Sequence, residues 1–190
     1  MAPSPRQIAP EQARDIISQL PPFVTTVAVL TPEPSDSALA KLRASGCQVA
    51  QLHGDWLPDA AEQFAQWLVI RALRVRTAKD IEEIRRWPMA CAVLLDAYHP
   101  GKLGGTGQTL DWVLARQAKE FGKPIILAGG LTPGNVAEAI AQAQPDAVDV
   151  SNGVESSPGV KNRNRIHEFV RSATRAGAAL PDSPSMSAVL

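Results

Sequence analysis

A few residues are of types and at spacings that can do chemistry. The apolar run AVLL is closed by Asp96. A carboxylate directly after a buried run faces either a pocket mouth or solvent. At a pocket mouth it is a candidate general acid or base, although a helix cap or loop carboxylate reads the same way. Two later apolar runs end in AGG (Gly129, Gly130) and SNG (Ser151, Asn152, Gly153). Backbone N–H groups exposed by such ends, with a helix start behind them, cradle phosphate. One glycine pair alone would serve a tight turn; its recurrence on successive runs points to an anion. Between Asp96 and the first of these runs lies GKLGGTG (101–107), with Gly104 and Gly105 at its centre. It lacks the GxxxxGK[ST] pattern of a P-loop and reads as a lid over a substrate or as a surface connection. His53, in QLHGD, follows another apolar run and can hydrogen-bond a ligand, or be structural. Arg6, in SPR, can grip a carboxylate bidentately. Lys161, Arg163 and Arg165 read as a solvated helix start, His99 and His167 as surface residues, and the four tryptophans as packing.

The elements that must position these residues alternate. Helical spacing covers 9–19, with Ala13, Ile16, Ile17 and Leu20 on one face, and Pro21-Pro22 ends it. Strands are predicted over 23–30, 47–52, 68–73, 89–96, 124–130 and 146–151. Helices are predicted over 35–45, 58–66, 77–87, 110–121, 132–144 and 162–175. Thr77 reads as an N-cap with Asp80 in the first turn, and Pro133 occupies a tolerated early position. Nearly continuous apolar strands alternating with helices imply a parallel sheet covered by helices. The repeat length is that of a (β/α)₈ barrel. Six strands do not close one, so the pattern fits either an open doubly wound sheet or a barrel lacking its first strands. In both, ligands bind at the carboxyl ends of the strands, where the residues above lie. One domain is expected over 1–176, with a disordered tail over 177–190.

Composition excludes several classes. The 190 residues are 45% hydrophobic and 20% charged, with 19 Lys plus Arg against 19 Asp plus Glu. A zero balance gives no electrostatic footprint for nucleic acid or an anionic membrane. Aromatics at 5% supply no stacking platform. Cys47 and Cys91 form neither a disulfide framework nor a zinc motif and read as small buried hydrophobes. MAPSPRQIAP has no apolar signal region, and no stretch is long enough to span a membrane. A reducing, cytoplasmic setting is expected, with a small molecule as the partner.

SPR-x-I-x-P-E-x-A, QLHG, VLLD, GGTG-x-T-x-DW, LAGGL-x-P-x-NV and VDVS-x-GVES-x-PG-x-K occur in one order between Ser4 and Phe169. Together they resemble phosphoribosylanthranilate isomerase, an enzyme family of tryptophan biosynthesis. The resemblance implies a (β/α)₈ barrel and an Amadori rearrangement of N-(5′-phosphoribosyl)anthranilate to 1-(2-carboxyphenylamino)-1-deoxyribulose 5-phosphate, with no metal or cofactor. It implies Asp96 as general acid and Arg6 as the ligand of the anthranilate carboxylate. Gly129, Gly130, Ser151, Asn152 and Gly153 become the phosphate loops, Asn152 standing where serine is usual. Gly104, Gly105 and Gly107 become the loop over the site. The family's general base is a cysteine in a K-I-C-G motif at the end of the first strand, and this sequence contains no such motif. Cys47 opens its strand and Cys91 lies inside the one that ends in Asp96, so neither inherits the role. The amino-terminal βαβ segment is therefore expected to be missing, through a start assigned too late or a pseudogene, and the chain is expected to be inactive. The alternatives are a non-catalytic phosphate-sugar-binding fragment and an unrelated doubly wound nucleotide-binding protein. Against the latter, no GxGxxG follows the first strand.

Overall fold

The computed structural model describes residues 4–96 and 112–180. Eight-residue α1 (Pro10–Ile17) leads into a run of strands and helices. These are β1 (Val27–Leu30), α2 (Ser35–Ser45), β2 (Val49–His53), α3 (Ala60–Gln63), β3 (Leu68–Arg74), α4 (Ala78–Ile81) and β4 (Ala92–Asp96). After them come α5 (Trp112–Gln117), β5 (Ile125–Ala128), α6 (Val136–Ala143) and β6 (Ala147–Val148). A hairpin of β7 (Glu155–Ser157) and β8 (Val160–Lys161) then precedes α7 (Arg163–Ala178).

Strands β1 to β6 form one parallel sheet in strict sequence order. That order excludes the doubly wound alternative, which needs a point where strand order reverses. Each crossover in a singly wound sheet is right-handed, so all the helices fall on one face. The core clusters follow this rule. Leu30, Ala50, Leu52 and Val69 pack with Ala38, Leu42 and Phe64 of the helical layer. Val93, Leu95, Ile125 and Leu127 pack with Trp112, Ile140 and Phe169. The opposite face carries a separate, helix-free cluster of Val49, Ile70, Ala72, Leu94 and Ala128. The sheet is an arc of a (β/α)₈ barrel, and this second cluster is its inner face.

Several elements differ from their predicted extents. The helix expected over 77–87 holds α geometry only to Ile81 and tightens to 3₁₀ over Glu82–Arg86. Its start is as expected, since the Asp80 carboxylate accepts the backbone N–H groups of Arg76 and Thr77 at 2.8 Å each. The predicted strand 146–151 is only two residues long, and the hairpin β7–β8 lies where a loop was expected. Helix α7 continues to Ala178, so Gly177 and Ala178 belong to it and not to a tail; residues 181–190 lie outside the described residues. Cys91 is exposed and Cys47 half-buried, which corrects the expectation that both are core residues. The tryptophans pack as expected: Trp56, Trp87 and Trp112 are buried, and Trp67 is half-buried against the core of the helical layer.

Candidate active site

Side chains alternate along a strand, so the inner-face cluster fixes which polar residues share its wall. Asp96 lies two residues after inner-facing Leu94, and register places it between Arg74 of β3 and Ala128 of β5. His53 follows the same alternation on β2 from Val49. Asp149 extends β6, its N–H donating to Leu127 O at 2.8 Å, and is level with Ala128. His53, Arg74, Asp96 and Asp149 thus form a polar row at the carboxyl ends of the strands, above an apolar floor.

Electrostatics within the row are uneven. Burial lowers the His53 pKa, Asp96 pulls it up, and Arg74 and Arg71 push it down, leaving the imidazole neutral near pH 7. The concave wall desolvates the Asp149 carboxyl and raises its pKa; Lys161 opposes that rise and Asp96 adds to it. Asp149 was missed in the sequence. The signal was available, because DAVDVS places a second acid two residues beyond Ala147, on the face that the alternation points inward.

Beyond the row lie the two glycine loops. Gly129 and Gly130 have φ of 83° and 66°, turning the chain sharply off β5. Asn135 then staples the turn: its Oδ1 accepts the Thr132 N–H at 2.7 Å and its Nδ2 donates to Gly130 O at 3.0 Å. Ser151 and Asn152 are exposed. Gly153 lies against the neighbouring loop so closely that a Cβ would stand 1.9 Å from Leu131 O. The two loops expected to act together are therefore in direct contact, and glycine is what permits it.

Arg6 is near these loops, though not as a free cation. Its Nε and Nη2 donate to the two carboxylate oxygens of Glu155 at 2.7 and 2.6 Å. Lys161 donates to Glu155 Oε1 at 3.1 Å and to Ser151 O at 2.8 Å. The Arg165 guanidinium donates to Glu155 O. Lys161 and Arg165 were expected to be merely solvated and are instead structural; Arg163 and His167 are exposed. Gly104, Gly105, Gly107 and His99 lie outside the described residues. Among the described residues no three His, Cys, Asp or Glu side chains converge to hold a metal, and no helix is long and apolar enough to cross a membrane.

Comparison with known proteins gives this geometry a family. The family model of N-(5′-phosphoribosyl)anthranilate (PRA) isomerase matches residues 1–172. The N-(5′-phosphoribosyl)anthranilate isomerase of Trichlorobacter lovleyi is 46% identical over 173 residues, which cover 91% of this chain and 83% of that protein. That of Geobacter sulfurreducens is 48% identical over 172 residues, covering 90% and 82%. Among solved structures, phosphoribosyl anthranilate isomerase from Thermotoga maritima superposes with a TM-score of 0.82 at 37% identity, over 90% of this chain and 82% of that one. Another, in complex with reduced 1-(o-carboxyphenylamino)-1-deoxyribulose 5-phosphate, superposes with a TM-score of 0.78 at 34% identity, over 90% and 81%. By both sequence and fold, the chain belongs to the phosphoribosylanthranilate isomerase family.

Proposed function

We propose that this single barrel domain binds N-(5′-phosphoribosyl)anthranilate and carries the proton-donating side of its Amadori rearrangement, with Asp96 as general acid. The observation that carries this reading is the shared location of Asp96 and the paired glycine loops at one end of the helix-free face. The phosphate sits on the backbone N–H groups around Gly129, Gly130 and Ser151 to Gly153. Arg6 meets the anthranilate carboxylate, and His53 offers a neutral imidazole to the sugar. Asp96 protonates the furanose ring oxygen as the C1′–O bond breaks and the nitrogen lone pair forms the iminium. Loss of the C2′ proton to a base then gives the enolamine, which tautomerises to the ketone. No metal or cofactor takes part in this scheme. A reducing, cytoplasmic setting fits two free thiols, and zero net charge offers nucleic acid no footprint.

Neither thiol of the 190-residue chain is placed to take the C2′ proton. Cys91 precedes β4, at the end opposite Asp96, and Cys47 packs toward the helical layer. The purified 190-residue chain is therefore expected to bind the ligand and to turn it over at least about a thousandfold more slowly than an intact relative, in line with the loss of one positioned base. Steady-state substrate loss together with calorimetric binding of the reduced product analogue checks this. Binding without turnover also describes the second reading, a non-catalytic phosphate-sugar binder; turnover at a relative's rate removes both.

A further inference from the structure

We infer that Glu155 is a positioning residue that holds Arg6 side-on, so that the opposite edge of its guanidinium faces the site as a ready-made receptor for the ligand's carboxylate. The inference rests on the functional reading above and assigns a role to a residue outside the proton-transfer scheme.

Guanidinium has two edges able to pair with a carboxylate in a fork. The Nε/Nη2 edge of Arg6 is taken by Glu155. Among the described residues, the Nη1/Nη2 edge has no partner. Burial differs across the pair: the Glu155 side chain is 4% exposed and that of Arg6 is 39% exposed. The carboxylate is therefore the fixed member and the cation the accessible one. Glu155 is fixed in turn by Lys161 and by the Gly159 N–H, which donates to its Oε2 at 3.3 Å. The backbones agree, because a Cβ on Gly159 would stand 2.9 Å from Pro5 O, so the hairpin turn lies directly against the segment carrying Arg6. Two cations sharing one carboxylate leave a positive charge over, and an anion on the free edge balances it. Lys161 bonds both Glu155 and Ser151 O, tying the carboxylate receptor to the phosphate loop. The receptors for the two anionic ends of the ligand are thereby held at a set separation before it arrives, which lowers the ordering cost of binding.

The test uses calorimetry on the full chain with two probes: the reduced carboxyphenylamino ribulose phosphate, and the same compound without its ring carboxylate. Wild type is expected to prefer the carboxylated probe. Glu155→Gln is expected to weaken that probe roughly tenfold, as the loss of a charge-assisted contact would, and to change binding of the other by less than about twofold. Arg6→Gln should erase the same preference, and the double variant should be no worse than Arg6→Gln alone, because both act on one contact. Where Glu155→Gln does not fold, Glu155→Asp decides, with a partial loss of preference expected. Equal weakening of both probes means a merely structural role and overturns the inference, as does an unchanged preference. If wild type binds neither probe, the functional reading itself falls and takes this inference with it.

Discussion

Asp96, Gly153 and Glu155 show three ways in which one residue can matter here. Asp96 is positioned by strand alternation alone. Gly153 matters for the atom it lacks: with Leu131 O 1.9 Å from where a Cβ would sit, Gly153→Ala must push the two loops apart. We expect a loss of about 2 kcal/mol or more in urea unfolding, together with loss of binding of inorganic phosphate or the phosphorylated probe. Glu155 matters through charge. Its hydrogen bonds from Arg6, with further help from Lys161 and the Gly159 N–H, hold its pKa at about 2, against an ordinary value of 4.5. A carboxyl whose folded pKa is depressed stabilises the fold above its ordinary pKa, and that contribution is lost as pH falls toward the folded value. Acid unfolding of the wild type should therefore steepen between about pH 4.5 and 2. Glu155→Gln should flatten that part of the stability–pH curve, as followed by circular dichroism.

At the scale of elements, the wall is only as well placed as the strand ends. Arg71 holds one of them from behind. It is 6% exposed, lies 4.5 Å from the Trp87 ring centroid, and donates through Nη1 to Leu52 O at 3.1 Å and Gly54 O at 2.6 Å. Those carbonyls flank His53, so a cation in the sheet–helix layer sets the end of β2 on the opposite face. Among the described residues its Nε has no partner, so part of the desolvation cost is not recovered there. Arg71→Met leaves two carbonyls at the strand end unpaired. We expect a loss of about 2 kcal/mol in urea unfolding, with a smaller loss for Arg71→Lys.

At the scale of the molecule, the arc has two open edges among the described residues, the outer sides of β1 and β6. The β1 side is also apolar. Phe23 is fully exposed, Val29 is 61% exposed, and Ile8, Ile16 and Leu20 are exposed nearby in the chain. An unpaired strand edge beside such a surface promotes association. The 190-residue chain should therefore show concentration-dependent growth in sedimentation velocity, and Val29→Lys should reduce it; a monodisperse monomer at all concentrations would refute this. Much of the architecture was legible from the sequence, because hydrophobic periodicity is local: α2 and the ends of β3 and β4 at Arg74 and Asp96 lie at or within a residue of expectation. The glycine loops were legible for the same reason, since a turn's need for glycine is written at the turn. The hairpin β7–β8 was not, because strands of three and two residues carry no period. Nor was the fate of Arg6, whose partner lies 149 positions away. By itself the sequence determined the alternation of strand and helix, the place of Asp96 at the carboxyl end of a strand and the places where the backbone must turn. Only the tertiary structure decided the strand order, which put every helix on one face, and the partners of each charge, because pairing across the chain depends on how the sheet closes distances that no local pattern encodes.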